Sequence, residues 1–180
     1  REISSQDFDR NVNATSEFTP SKARTRANLK SFVTKTRATD PAGAEQMEAL
    51  FASSDVIGQI GGVMRSFGLS TSNAADAYAL YWVVAWSASR GETDPPGAET
   101  FKAVAIQAAK GLSSSPEFAR ATDAQKQEMA EALMVQAALI DGHMEAAAGN
   151  AAQLKAVAQA VSKGAAASGL NLSAMTLTEQ

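Results

Sequence analysis

Cysteine is absent from the 180 residues, which excludes disulfides, thiolate metal sites and cysteine nucleophiles together and leaves the redox compartment open. Histidine occurs once, at His143. A His-rich metal centre is therefore excluded, and a Ser-His-Asp arrangement would have one possible base. Aromatic residues make up 6% of the chain, whereas the 45% hydrophobic fraction is carried largely by alanine. Helix propensity is thus high and bulky core-filling groups are few, a balance that favours closely packed helices. No apolar run approaches the roughly 18 residues of a membrane-spanning helix; the densest one, Tyr78 to Trp86, is bracketed by Asp76 and Arg90. A net charge of -3 offers no global attraction to nucleic acid or anionic lipid, so neither is expected as a partner without a local patch. The chain opens on Arg1, and the expectation is a processed product whose signal peptide is gone.

What is present is helical punctuation. Four positions, Thr19-Pro20, Asp40-Pro41, Asp94-Pro95 and Ser115-Pro116, pair a capping side chain with a proline whose missing N–H would be unpaired in a first turn anyway. They predict helices over about 20–37, from 41, over about 95–112, and a short turn at 116–121. Val56, Ile57, Ile60, Val63, Met64 and Phe67 recur at helical spacing before Gly68. Thr122 with Gln125 and Asn150 with Gln153 read as capping boxes opening the last two helices. Gly58, Gly61 and Gly62 cost roughly 1 kcal/mol each against alanine, so a close helix approach or a kink is expected there.

The segment Asn73 to Gly91 holds both tryptophans and both tyrosines and is apolar on nearly every side, the pattern of a helix buried among others. The fold class expected is all-α: a compact bundle of six or seven helices around this central aromatic helix, with no β-sheet. Residues 1–17 read as an irregular arm, and 18–180 as a single domain with the apolar tail, Leu170, Leu172, Met175 and Leu177, packed upon it.

Chemistry is thin. Tyr78, Tyr81, Trp82 and Trp86 could line a pocket for an apolar or aromatic ligand, with core filling as the alternative. Lys22, Arg26, Lys30 and Arg37 form a basic stripe on a first helix that has no acid between Thr19 and Thr39, suited to an anionic partner or simply to solvent. Gln136 and His143 fall one heptad apart beside an apolar seam and are candidates for polar core positions. Any carboxylate serving His143 as an acid–base partner must come from another helix, since Asp141 and Glu145 project away from it. The acid pairs Glu45 with Glu48, Glu128 with Glu131, and Asp141 with Glu145 lack the Glu-x-x-His motif of di-iron bundles; they read as solvated surface. No metal site, no cofactor and no catalytic residue is assigned.

The stretches FTPSKARTRANLKSFV, DPAGAEQMEALF, LSTSNAADAYALYWVVAW, SPEFARATDAQKQEMAEALMVQAALID and GLNLSAMTLT together resemble a family of mainly proteobacterial, all-helical proteins of unknown function. The resemblance covers about residues 18–178. It implies no activity and no functional residue. Members of that family often begin with an export signal, so a periplasmic or secreted location is what the resemblance implies. The expectation is a non-enzymatic exported protein acting through binding or as a structural partner. Two alternatives stand beside it: a carrier or sensor of a small apolar or aromatic ligand, and an enzyme using His143 with a carboxylate.

Overall fold

A helix with alanines and aromatics on all sides has no face to give to water, and here it sits at the centre. The computed structural model describes residues 13–177. Its helices are α1 (Lys22–Arg37), α2 (Pro41–Ser53), α3 (Val56–Ser66), α4 (Ala74–Ser89), α5 (Ala98–Ser113), α6 (Pro116–Ala119), α7 (Asp123–Ala147) and α8 (Ala151–Ala167), followed by a 3-10 turn, Leu172–Ala174. Seven are long and α6 is a single turn. No sheet exists among the described residues, only an isolated antiparallel bridge between Glu17 and Asn73. The class is all-α, as expected.

α4 packs on α5, α7, α8 and the 3-10 turn. Its buried residues include Ala77, Leu80, Tyr81, Val83, Ala85 and Ala88. The alanines let neighbouring axes approach, while a few large side chains fill what remains: Phe101, 1% exposed, stacks on Phe67 with ring centres 4.1 Å apart. Burial of a side chain of that size is worth about 1.5–3 kcal/mol.

The caps follow the sequence in some places and not in others. Asn73 caps α4, accepting from the N–H groups of Ala75 (2.9 Å) and Asp76 (3.2 Å), and Asp76 accepts from the Ser70 N–H at 2.8 Å. Thr122 and Gln125 form a reciprocal box. Pro41 and Pro116 open their helices, but α1 is capped by Ser21 and α5 starts at Ala98 behind Gly97. The reason at α5 is Pro96, which disfavours a helical conformation at Pro95. Gly68 and Gly91, at φ 74° and 71°, take the left-handed conformation that stops α3 and α4. Gly61 is buried, and a Cβ there would stand 3.0 Å from the Thr71 methyl; a loop, and not another helix, makes the close approach.

Helices α1 and α2 form a hairpin with a small core of their own, Val33, Ala44 and Met47. Leu139 of α7 packs against that small core, and beside this apolar contact α1 and α7 share a polar network. The Glu131 carboxylate, 4% exposed, accepts from Thr25 Oγ1 (2.7 Å), Asn28 Nδ2 (3.0 Å) and Gln127 Nε2 (2.7 Å). Gln127 Oε1 accepts from the Ser21 N–H (3.0 Å) and from Arg24 Nε (2.8 Å). Glu131 is therefore not the solvated surface acid that its spacing from Glu128 suggests: it is a buried carboxylate made tolerable by three donors.

Both ends of the described chain are held down. Residues 13–16 form a helical turn with Ser16 fully buried, the Phe18 N–H donates to Ser72 O at 3.0 Å, and Lys126 Nζ donates to Thr15 O at 2.6 Å. The expected irregular arm thus fails for 13–17, and the remainder of that arm, residues 1–12, lies outside the described residues. At the other end Leu172 is buried and Leu170, Met175 and Leu177 pack against the main core.

Candidate functional site

Helix α8 buries only Ala165 and half-buries Leu154, Val157 and Val161. The cause is compositional: Ala156, Ala160 and Gly164 recur every fourth residue, so one side of α8 is nearly bare. Where that side faces α7 an open groove of about 540 Å³ results, walled by Gln136, Leu139, Ile140 and His143 of α7 and by Val157 and Val161 beside the small residues of α8. Tyr81 of α4 reaches it from below.

Tyr81 is the one deeply buried polar group there, at 7% exposure. Among the described residues its hydroxyl has no hydrogen-bond partner, and it is not sealed in as Trp82 Nε1 and the hydroxyls of Ser16 and Ser87 are. The hydroxyl therefore keeps some exposure, on a residue that lines the groove. Burial, and then the nearby Tyr78, raise its pKa above the usual 10.0, which keeps it a protonated donor. Gln136 and His143 are exposed. They are not core positions: the buried line of α7 runs through Ala130, Met134, Ala137 and Met144, which face α4 and leave residues 136 and 143 at the groove's rim. No group among the described residues hydrogen-bonds His143.

The four aromatics do not share one pocket. Tyr78 and Trp82 meet edge to face, 4.8 Å between centres and 81° between planes, and Trp86 is engaged with the tail, its Nε1 donating to Met175 O at 2.9 Å. Tyr81 alone lines the groove, together with the two polar α7 residues that the sequence pattern assigns to the core. Leu139, Ala156, Ala160 and Gly164 complete the groove, and the four-residue recurrence in α8 is their signal in the sequence.

The basic stripe is divided. Arg26, Lys30 and Arg37 line a second, smaller groove of about 250 Å³ between α1 and α2. Lys22 is exposed and outside it. Arg37 pairs with Glu48 at 2.7 Å.

Among the described residues no group of three or more His, Cys, Asp and Glu is arranged to hold a metal ion, and no helix is long and apolar enough to cross a membrane. Comparison with protein families returns one described as a family of unknown function (DUF6683), matched over residues 5–175. No curated protein and no solved structure matches the chain.

Proposed function

The chain belongs to that family of unknown function, and with no activity to inherit from it we propose that the protein works by binding and not by catalysis. The ligand is a small, mainly apolar or aromatic molecule carrying one hydrogen-bond acceptor, held in the groove between α7 and α8. The observation that supports this is the Tyr81 hydroxyl: protonated, unpartnered among the described residues, not sealed from solvent, and carried by a buried residue that lines an apolar groove. A volume of about 540 Å³ suits a small molecule, since ligand sites run from roughly 300 to 1,000 Å³ and combine apolar walls with a few placed polar groups. Gln136 and His143 at the rim supply polar contacts that orient the ligand. Among the described residues His143 has no oriented partner of the kind acid–base chemistry needs, which favours binding over the His143 enzyme. The periplasmic or secreted location implied by the sequence resemblance belongs to the same proposal, and cell fractionation tests it.

The binding test is a fluorescence titration with N-phenyl-1-naphthylamine, a neutral aromatic amine, and with a fatty acid series. Saturable binding is expected, weakened about tenfold or more, or over about 1.4 kcal/mol, by Ala160→Trp, which fills the groove from an exposed position. Undiminished binding by a folded Ala160→Trp variant would remove the groove from consideration.

A further inference from the structure

Independently of that groove, the α1–α2 hairpin carries a second surface with a different chemistry. Of the cations on α1, Arg24 is turned inward to Gln127 and to the Thr19 carbonyl, and Arg37 is paired with Glu48. Arg26 and Lys30 stand exposed, one turn apart, with no ion pair among the described residues. The groove beneath them has an apolar floor: Val33, which is buried, with Leu29 and Phe51 half-buried. At 1.5 Å per residue the rim from Arg26 to Arg37 is about 16 Å long, three turns of helix.

We propose that this groove docks an acidic amphipathic helix of a partner protein. The floor decides among the anions that these two cations could meet. A bilayer surface would need apolar side chains that protrude, whereas Val33, Leu29 and Phe51 are recessed and something must enter to reach them. Nucleic acid phosphates would use the cations but not the floor, and the site has no row of exposed rings for bases to stack on. A free small molecule would find about 250 Å³, below the usual range for such sites, open along its length. A strip with an apolar floor, unpaired cations on the α1 side and Glu48, held by Arg37, on the α2 side matches a helix whose apolar anchors recur at i, i+4 and i+7 and whose acids face α1 and not α2. Complementary charge sets orientation and rate, and the floor supplies the buried area.

The probe is a fluorescein-labelled helical peptide of about 18 residues, enough for five turns, with leucines along one face and glutamates flanking them; its lysine counterpart, phosphatidylglycerol vesicles and a single-stranded oligonucleotide are the other arms. Anisotropy titration of the full chain should give saturable, salt-weakened binding of the glutamate peptide. The double variant Arg26→Glu with Lys30→Glu should lose about tenfold or more in affinity. The charge-matched control Lys35→Glu with Lys155→Glu, both exposed and outside the groove, should change it less than about twofold. The proposal falls if the lysine peptide binds as well, if both double variants lose affinity equally, if neither does, or if vesicles or oligonucleotide bind and the glutamate peptide shows no saturation up to about 1 mM.

Discussion

The indole Nε1–H of Trp86 donates to the carbonyl oxygen of Met175 at 2.9 Å, closing a loop of 89 residues between the last turn of α4 and the tail. Arg90 reinforces it, lying 4.1 Å from the centre of the Trp86 ring and donating to the carbonyls of Leu172 (3.3 Å) and Met175 (3.2 Å). The Met175 carbonyl thus finds donors on two side chains at the end of the central helix, and the Leu172 carbonyl, which already accepts from the Met175 N–H at 3.3 Å, gains a second donor. The aromatic residue that offered itself as a ligand contact is a clasp.

Replacing Trp86 by Phe keeps a ring in place and removes the donor. We expect a loss of about 1 kcal/mol, the net worth of one hydrogen bond, and faster proteolytic removal of the chain beyond residue 170 with the helical core intact. Chemical denaturation and limited proteolysis followed by mass spectrometry measure the two effects.

At Glu131 the expected cost is larger. Glu131→Ala removes the acceptor shared by Thr25, Asn28 and Gln127; Thr25 and Gln127 keep Ser21 O as an acceptor, Asn28 Nδ2 is left without one, and an unsatisfied buried donor costs about 1–3 kcal/mol on top of the cavity. We expect about 3 kcal/mol overall, because water entering the space relieves some of it. Glu131→Gln should cost about 1 kcal/mol, since a flip of the Asn28 amide can accommodate the new N–H₂. Urea midpoints of the three proteins test the order.

These two sites mark where the sequence was legible and where it was not. The central helix could be read because burial on all sides leaves a local signature, an apolar run bounded by Asn73 and Gly91. Gly68 could be read because a helix stop is a local event. Gln127 and Glu131 could not: a polar residue spaced four before an acid is the ordinary pattern of an exposed helix face, and only the arrival of α1, from far away in sequence, turns it inward. The groove was half legible. Tyr81, Gln136 and His143 were all candidates, but their meeting depends on the small side chains of α8, whose effect is to leave space and not to fill it.

Tyr81→Phe separates binding from stability. With no partner for the hydroxyl among the described residues, the variant should unfold within about 0.5 kcal/mol of the parent, yet lose affinity for any ligand that accepts from it by roughly three- to tenfold, equivalent to about 0.6–1.4 kcal/mol. Equilibrium unfolding and the naphthylamine titration, run on the same preparation, give both values. A stability loss well beyond that bound would assign the hydroxyl a structural role.

Asp76 makes stability depend on pH. Burial raises its pKa above 3.8, the Ser70 N–H opposes the shift, and the Glu17 charge adds to it. The folded chain therefore holds the Asp76 proton more tightly than the unfolded one, so this group's contribution is fully present below pH 3.8 and is lost as pH rises through the folded value. Asp76→Asn, which keeps an acceptor for Ser70, should gain on the parent as pH rises through that window and hold a constant lead above it. Denaturation midpoints across the acid range check the sign.

Helix α2 rests on α1, and α1 meets the body chiefly through α7, along the line of Ser21, Arg24, Thr25, Asn28, Gln127 and Glu131. Apolar contact across this junction runs through Leu139 and Phe51, and the hydrogen bonds beside it lend themselves to local opening into water. We expect residues 22–53 to open as one cooperative unit, their amides exchanging with solvent together, ahead of those of α4 and α7. The lifetime of that opening, and not global unfolding, would then govern how often a partner meets the hairpin undocked.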